Sequence, residues 1–446
     1  MQTQTQAQTS KWFEQHNWKL LFSVLWTGQA FSLLGSNLVS FALIWWVTVE
    51  TDSATVLAFT TFVALIPAVF LGPIAGTLVD RWNRRWVMIM ADSLVALATV
   101  VLVILFAVDA AEVWHVFVIL FIRSLGGSFH WPAMQASTSL MVPPEHLSRV
   151  AGLNQMLQGA MNVVAPPLGA LLLEVLPMQG VLAIDTVTAG IAVSILLFIV
   201  TIPQPERDAV TDDQPQKTSV LQEFREGLRY VAGWPALLII LGMATMINFL
   251  FNPAFSLMPL LIKNYFDGGA KELGWMNAAW GIGVVAGGLA LGAWGGFKRK
   301  LATSMVGLIG MGTAVAVLGV TPAHALLLAL GAMLVAGFMN PITNGPLFAV
   351  VQAVVKPDMQ GRVFTLITAS ATGTSLISLL IAGPVADVLG IQFWYIAAGA
   401  FCTAMGVTGF MIPALMHMEE QGAQAPAEAA DELPLGALTA DAAMDR

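Results

Sequence analysis

The chain is poor in charged residues. Aspartate, glutamate, lysine and arginine make up 10% of its 446 residues, whereas hydrophobic residues make up 57%. Soluble globular proteins carry roughly 25% charged residues, which keep their surfaces hydrated. A chain with so few charges cannot cover itself with water-compatible surface, so lipid must form part of its solvent. This scarcity excludes a soluble globular protein and predicts an integral membrane protein.

Reactive and ligand-binding residues are also scarce. Cys402 is the single cysteine, which excludes an intrachain disulfide framework and a cysteine-based metal site. The six histidines are scattered over loops and predicted span ends, so we expect no metal site. A G-x-x-x-x-G-K-[ST] loop is missing, which argues against ATP-driven transport. No basic face suggests nucleic acid, and we expect a protein that is not an enzyme and has no cofactor.

Long apolar runs are abundant. A hydrocarbon core of about 30 Å requires roughly 20 residues of helix. Runs bounded by charge, proline or glycine predict twelve spans: 18–47, 55–79, 86–107, 113–136, 151–173, 180–202, 236–262, 273–295, 302–320, 325–348, 363–386 and 391–415. The longest connection divides them six and six. The expected fold is therefore an all-α membrane protein of two pseudo-symmetric six-helix bundles.

These runs define five regions of the chain. A flexible cytoplasmic N-terminus is expected at 1–17, followed by an N-terminal bundle at 18–202 and a C-terminal bundle at 236–416. The linker at 203–235 contains a helix signal, because Ser219 and Gln222 form a capping box before an amphipathic stretch. We expect that helix to lie along the membrane surface. The acidic tail at 417–446, rich in alanine and proline, is predicted to be disordered.

The basic residues predict how the chain is oriented. With the N-terminus inside, all but three of the 19 lysines and arginines fall on the cytoplasmic side. The exceptions are Lys263 and Lys271 outside and Arg123 within span 4. Both termini are therefore expected in the cytoplasm.

The two halves resemble each other in parallel orientation. A P-E-x-x-x-R-V element begins at Pro144 after span 4, and a P-D-x-x-x-R-V element begins at Pro357 after span 10. Two similar halves around a midplane cavity are the architecture that alternating access requires. Coincidence among common residues is the alternative.

A charged motif follows small residues at the end of span 2. Small residues let helices approach closely, and a carboxylate can meet the positive end of a neighbouring helix. The motif consists of Gly72, Gly76, Asp80, Arg81, Arg84 and Arg85, and we interpret it as functional, with the arginines anchoring the turn on the inner face. A topogenic basic loop beside a packing motif would explain the arginines and glycines, but not an Asp-Arg pair at this position.

This stretch resembles the G-x-x-x-D-R-x-G-R-R signature of the major facilitator superfamily, with Asn83 in place of one glycine. The resemblance covers nearly all of the chain except its two tails. It implies a twelve-helix transporter in which the motif residues form a cytoplasmic gate, with Asp80 and Arg81 latching the two halves on that side. The latch would form when the protein faces outward and release when it faces inward. Such folds resemble proteins that usually act as monomers.

Three ionisable side chains are predicted within spans. Arg123 in span 4 cannot be deprotonated there, so it must face a cavity or a partner. Its position resembles the family's span-4 arginine motif, which implies proton coupling; a structural ion pair is the alternative. Asp185 in span 6 is a coupling candidate or a structural hydrogen-bonding group. Asp92 in span 3 is predicted to pair with the nearby motif arginines.

Polar residues at helical spacing predict the substrate path. By analogy with the family, spans 1, 4, 7 and 10 should line it. Amides and hydroxyls there must face protein or cavity, because contact with lipid would be costly. The candidates for the path are Gln29, Ser32, Ser36, Asn248, Asn252, Phe255, Asn340 and Asn344. Hydrogen bonding between helices is the alternative for each. Together they predict a large, neutral, weakly polar pocket.

The segments FHWPAMQAS and LVSFALIWW resemble the macrolide-efflux and enterobactin-exporter branch of the drug:proton antiporters, a bacterial group. Span 5 is similar in part to the antiporter signature, with Pro166 and Pro167 where G-P is usual. These resemblances imply an exporter of amphiphilic small molecules in the bacterial cytoplasmic membrane, driven by a proton gradient. The alternatives are a siderophore or lipid exporter, and a transport-inactive sensor or scaffold.

Overall fold

The computed structural model describes residues 17–203, 220–416 and 418. Every regular element in these ranges is a helix. The helices are α1 Trp18–Thr51, α2 Ala54–Arg81, α3 Arg84–Ala107, α4 Val113–Met141, α5 Pro144–Val175, α6 Met178–Phe198, α7 Val220–Ala232, α8 Pro235–Ser256, α9 Met258–Asn264, α10 Ala270–Trp294, α11 Lys300–Val320, α12 Leu326–Val354, α13 Pro357–Leu389, α14 Gln392–Met411 and α15 Pro413–Met416. The predictions for the N-terminal tail, for 204–219 with Ser219, and for the acidic tail lie outside the described residues, apart from Asn17 and Met418.

Twelve of the described helices are long and apolar enough to cross a membrane. The chain is therefore a multi-pass membrane protein, and its predicted fold class is confirmed. Two predicted span starts were wrong, because the repeated elements at Pro144 and Pro357 are the first turns of α5 and α13 rather than loops. Proline suits the first helical turn, where its missing N–H has no partner to lose.

The seventh predicted span is not one continuous helix. It ends as α8 at Ser256 and resumes as α9 at Met258, with Leu257 between them. Pro253 and Pro259 flank the break, and each removes one backbone hydrogen bond from the helical pattern. The prediction of an unbroken helix over 236–262 was therefore wrong.

The linker helix α7 is attached to the C-terminal half. Arg362 on α13 forms an ion pair with Glu226 at 2.9 Å. A Cβ on Gly227 would lie 3.3 Å from the backbone oxygen of Arg362, so the two helices pack closely at this point. The contact ties α7 to the first turns of α13.

The two halves are packed in different ways. In the C-terminal half, glycines of α10 meet the backbone of α12: a Cβ on Gly287 would lie 2.0 Å from the Phe338 carbonyl oxygen, and one on Gly283 2.2 Å from that of Leu334. In the N-terminal half, a Cβ on Gly28 would first meet the side chain of Ile195. The atoms that limit the approach of α10 to α12 are therefore backbone atoms. Between α1 and α6 the nearest atoms belong to side chains, at Gly28 and also at Gly35, where the Asp185 Cα follows at 3.0 Å.

The halves touch at one membrane face and separate toward the other. We call the face with Arg81, Arg84 and Arg85 the arginine-rich face. At the opposite face, a Cβ on Gly383 of α13 would lie 2.2 Å from the Thr55 Cα of α2, and one on Gly274 of α10 3.1 Å from the Pro166 oxygen of α5.

Hydrogen bonds between the halves lie on the same side as these close contacts. Lys263 on α9 pairs with Asp52, which follows α1, at 2.8 Å. The Thr55 hydroxyl donates to Asp387 on α13 at 3.3 Å.

Toward the arginine-rich face the contact between the halves ends. Cβ atoms added to Gly76 on α2 or Gly292 on α10 would have no heavy atom within 4 Å. The same holds for Gly159 on α5 and Gly373 on α13. As far as residues 17–203 and 220–416 show, the space between the halves is therefore open on the arginine-rich side and closed on the opposite side.

Candidate functional site

Arg123 and Asp185 form a buried ion pair. Arg123 on α4 is 8% exposed, Asp185 on α6 is fully buried, and Arg123 Nη1 donates to Asp185 Oδ2. The same nitrogen donates to Thr99 Oγ1 at 2.7 Å, and Nη2 donates to the Ser36 carbonyl oxygen at 3.2 Å. The Ser36 hydroxyl donates to Asp185 Oδ1 at 3.0 Å. The structure thus joins two residues that the sequence analysis treated as separate candidates, with polar groups from four helices.

Asp92 does not pair with the motif arginines, so that prediction was wrong. Its carboxylate accepts from Gln29 Nε2 at 3.2 Å, and its Oδ1 lies 3.3 Å from His130 Nε2. Arg85 instead donates to the carbonyl oxygens of Leu196 and Leu197 at the end of α6, at 2.7 and 2.9 Å. A helix C-terminus offers unpaired carbonyl groups, which explains why the arginine is drawn there.

His130 is the functional candidate that the sequence analysis missed. It lies within α4, two turns beyond Arg123 and on the same side of the cavity, rather than in a loop or at a span end. Its seven-residue spacing from Arg123 corresponds to about two helical turns, a signal that was present in the sequence. The prediction that all histidines lie in loops or at span ends was therefore wrong.

A cavity of about 320 Å³ is lined by Arg123 and Ser36 of the first cluster and by Asp92, His130 and Gln29 of the second. Its wall comes mainly from α1, α3, α4 and α5 of the N-terminal half. Arg123 lies near the middle of the membrane, and Asp92, His130 and Gln29 lie closer to the arginine-rich face. Apolar and small residues make up most of the remaining wall, with Trp26 and Trp131 among them. The predicted neutral pocket is wrong in one respect, because charged side chains line it.

Four of the eight predicted path residues line one of two cavities. Gln29, Ser32 and Ser36 line the 320 Å³ cavity, whereas Phe255 lines a second cavity of about 280 Å³ between the halves. In the second cavity the Phe255 ring meets the Trp280 ring edge to face at 4.9 Å.

The four predicted asparagines line neither of these cavities. Asn248 and Asn344 donate to carbonyl oxygens of their own helices, at Ala244 and Asn340 respectively. Asn252 donates to the Ser375 hydroxyl at 2.7 Å. The Asn252 contact is a hydrogen bond between helices, which was the alternative, whereas the Asn248 and Asn344 contacts lie within single helices. A role of these residues in the substrate path stays a prediction.

The span-2 motif makes no close contact with the C-terminal half at its glycines, Gly72 and Gly76. The Asp80 side chain is 71% exposed and lies 3.8 Å from Arg84. Asn83, which replaces the signature glycine, accepts from the backbone N–H groups of Arg85 and Trp86 and so caps α3. This cap preserves the turn without glycine. The latch proposed for Asp80 and Arg81 remains a prediction for another conformation.

Among the described residues, no group of three or more histidine, cysteine, aspartate or glutamate side chains is placed to hold a metal ion. Two carboxylates, one histidine and one arginine supply all the titratable groups of the two clusters. The arrangement suits proton exchange and the binding of a partly polar organic molecule.

The chain is similar to known transporters in sequence and in fold. Residues 25–378 match the family model of the Major Facilitator Superfamily. Macrolide efflux protein A of Streptococcus pyogenes is 33% identical over 404 residues, which cover 91% of this chain and 98% of that protein. Multidrug efflux pump Tap of Mycolicibacterium fortuitum is 28% identical over 414 residues, which cover 90% and 96%.

Among solved structures, an inward-facing bacterial homologue of the iron transporter ferroportin superposes with a TM-score of 0.66 at 17% identity. The match covers 88% of this chain and 99% of that one. At this identity the likeness concerns the fold alone. The family model and the curated relatives span most of the sequence, and on these grounds the chain belongs to the major facilitator superfamily.

Proposed function

We propose that this protein is a secondary active transporter, not an enzyme, that exports hydrophobic or amphiphilic small molecules such as macrolides in exchange for protons. The observation that carries the proposal is the cavity in the N-terminal half, which combines an apolar wall with a few charged and polar groups. Ligand sites of this kind bind organic molecules through apolar area and orient them through polar contacts. The efflux proteins named above, similar over nine-tenths of this chain, support the same substrate class.

The proposal places the arginine-rich face in the cytoplasm of a bacterial cell, with both termini there and the bilayer around the twelve spans. Loops rich in lysine and arginine stay on the cytoplasmic side during insertion. In this orientation the described conformation faces inward, and a substrate enters the cavity from the cytoplasm or inner leaflet. The protein acts as a monomer, because each chain contains both halves and the cavity.

Arg123 and Asp185 are the proposed coupling pair. The carboxylate of Asp185 is held by an arginine and two hydroxyl groups, and α1, α3, α4 and α6 all contribute to its surroundings. A proton on Asp185 would remove the negative charge that holds Arg123. The four helices could then repack around a neutral carboxyl group. Protonation of Asp185 would thus couple the proton gradient to the change between the inward-facing and outward-facing conformations. No cofactor is required.

Exchange in proteoliposomes tests the function directly. Vesicles containing the purified protein are loaded with a radiolabelled macrolide, and an inward-directed pH gradient is imposed. The wild-type protein is expected to release the macrolide faster with the gradient than without it. Asp185→Asn and Arg123→Ala are expected to lose this acceleration. Equal release in protein-containing and empty vesicles would refute the export function, and unchanged acceleration in both variants would refute the coupling role.

A truncated chain separates transport from signalling. Deleting residues 420–446 removes the acidic tail and leaves every described helix intact. A transporter keeps its flux after this deletion, whereas a scaffold that signals through the tail loses its function. The deletion is checked in the same vesicles as the full chain.

A further inference from the structure

The charge of the N-terminal cavity is not balanced when His130 is neutral. Arg123 and Asp185 compensate each other within their ion pair. Asp92 supplies a carboxylate to the cavity wall, and its hydrogen-bond partner Gln29 carries no charge. A neutral His130 therefore leaves the cavity with one net negative charge, and a protonated His130 brings it to zero.

The geometry around Asp92 leaves its charge accessible from the cavity. The residue is 9% exposed, and its Oδ1 faces a histidine nitrogen 3.3 Å away. His130 Nε2 is buried and makes no hydrogen bond to any residue in the described ranges, so this nitrogen and the carboxylate are close but not joined. An unpaired polar atom in such a place is costly unless a ligand or water satisfies it.

Two tryptophans line the same cavity as Asp92. Trp26 and Trp131 both line it, and Trp26 is held in position by a hydrogen bond from its Nε1 to Asn154 Oδ1 at 2.9 Å. Aromatic rings near a carboxylate favour an organic cation over a metal ion, because a ring attracts a cation through its π face but supplies no oxygen ligand. The apolar wall accommodates the hydrophobic body attached to that cation.

We propose that Asp92 binds the ammonium group of a hydrophobic amine, and that His130 controls this binding by its own protonation. This inference rests on the proposed export function and specifies its substrate class. When His130 is neutral, Asp92 offers an uncompensated carboxylate and the amine binds. When His130 takes up a proton, the imidazolium forms an ion pair with the Asp92 carboxylate, and the ammonium group is released. One proton and one organic cation thus exclude each other at the Asp92–His130 site.

Few other charges act on this site. Arg123 lines the same cavity, and its charge is compensated by Asp185, which is fully buried and is not part of the cavity wall. On α1 and α6 the described charged residues other than Asp185 are Lys19 and Glu50, near the helix ends. On α2, α3 and α5 the other charged residues and His146 also lie in the terminal turns, and Arg84 reaches α4 only at the Ala136 carbonyl oxygen, 3.4 Å away. Among the described residues, His130 is therefore the group to which we assign the pH dependence of binding.

Binding to the purified full-length protein in nanodiscs tests the inference with two matched probes. Erythromycin carries a dimethylamino group that is protonated at neutral pH, and its N-oxide keeps the macrolide body but is neutral there. We expect Asp92→Asn to weaken erythromycin binding by roughly 10- to 100-fold, the loss typical of a charged hydrogen bond, with N-oxide binding unchanged. Asp109→Asn, which removes an exposed carboxylate between α3 and α4, is the charge-matched control and should bind both probes normally.

The pH profile tests the role of His130. Wild-type affinity for erythromycin is expected to fall as the pH decreases from 7.5 to about 5.5, the range in which histidine ordinarily takes up a proton. His130→Gln should keep its erythromycin affinity across this range. Its N-oxide binding should match the wild type, which shows that the variant is folded.

The outcomes separate this inference from the export function. If the wild-type protein binds both probes but Asp92→Asn binds erythromycin as tightly as wild type, the amine site is refuted while export stands. If His130→Gln shows the wild-type pH profile, the histidine control is refuted. If the wild-type protein binds neither probe and also fails the vesicle assay, the proposed function and the amine site fall together.

Discussion

Replacement of Gly383 by alanine should open the face that is closed in this structure. A Cβ at this position would lie 2.2 Å from the Thr55 Cα, and ordinary contacts begin at 3.4 Å, so α2 and α13 must separate by about 1.2 Å. Backbone cannot rotate out of the way as a side chain can. Overpacking of this kind costs roughly 1–3 kcal/mol, and here the cost applies only to the conformation that closes this contact. The equilibrium should therefore move toward the opposite conformation by roughly 5- to 150-fold.

The matched control is Gly373→Ala on the same helix, where an added Cβ meets nothing within 4 Å. Alanine is intrinsically the better helix former, so this variant should be neutral or slightly stabilised. Spin labels at Gly152→Cys and Gly361→Cys, both on the arginine-rich side, report the distance between the halves by pulsed electron resonance. Gly383→Ala should shift that distance to shorter values and Gly373→Ala should not. A folded Gly383→Ala protein with the wild-type distance distribution would refute the reasoning.

Four further single substitutions have expected outcomes. Lys263→Met removes the ion pair with Asp52, whose side chain is 57% exposed. Such a pair is weak, so the free-energy difference between the two conformations, read from the same label distance, should change by no more than about 1 kcal/mol. The hydrogen bond from Lys263 lowers the pKa of Asp52 below its ordinary 3.8. The contribution of the pair to the closed conformation is therefore complete at neutral pH and is lost only as the pH falls through the lowered value. A wild-type label distance that already changed between pH 7 and 5 through this pair would contradict this assignment. Arg123→Ala or Asp185→Asn alone should destabilise the protein by roughly 3–5 kcal/mol in thermal unfolding, because each single variant leaves one buried charge without its partner. The double variant should lose clearly less than the sum of the two single losses. Asp80→Asn should slow exchange in vesicles while stability stays within about 0.5 kcal/mol of wild type, since this side chain is 71% exposed; a large loss of stability would show a structural role instead.

The sequence predicted the spans because hydropathy acts within each helix. The need for apolar residues over a span is local, so twelve helices and their order could be derived without knowing how they pack. Helix ends were less predictable. Pro144 and Pro357 resemble loop residues but begin helices. The break at Leu257 lies between prolines, and many membrane helices contain proline without breaking. The alternation of polar and apolar residues could not decide these points.

The pairing of site residues depends on helix rotation, which local pattern does not specify. Arg123 and Asp185 were each identifiable as charges that need a partner, but their pairing required knowing which faces of α4 and α6 meet. Asp92 was assigned to the wrong partner because the arginines are near it in sequence, whereas Arg85 extends to the carbonyl groups of α6. His130 was overlooked for the same reason, since its proximity to Asp92 arises only when α3 and α4 pack together.

The contrast between the packing of the two halves has a consequence for how substrate range can evolve. Where a glycine of α10 touches the α12 backbone, any larger residue must displace a whole helix, so few substitutions there leave a working protein. The N-terminal half is spaced by side chains such as Ile195 and contains the cavity with Trp26 and Trp131, so exchange of one side chain can be absorbed by its neighbours. A library selected for resistance to new drugs should therefore accumulate its changes in α1, α4 and α5, while the glycines between α10 and α12 stay as they are.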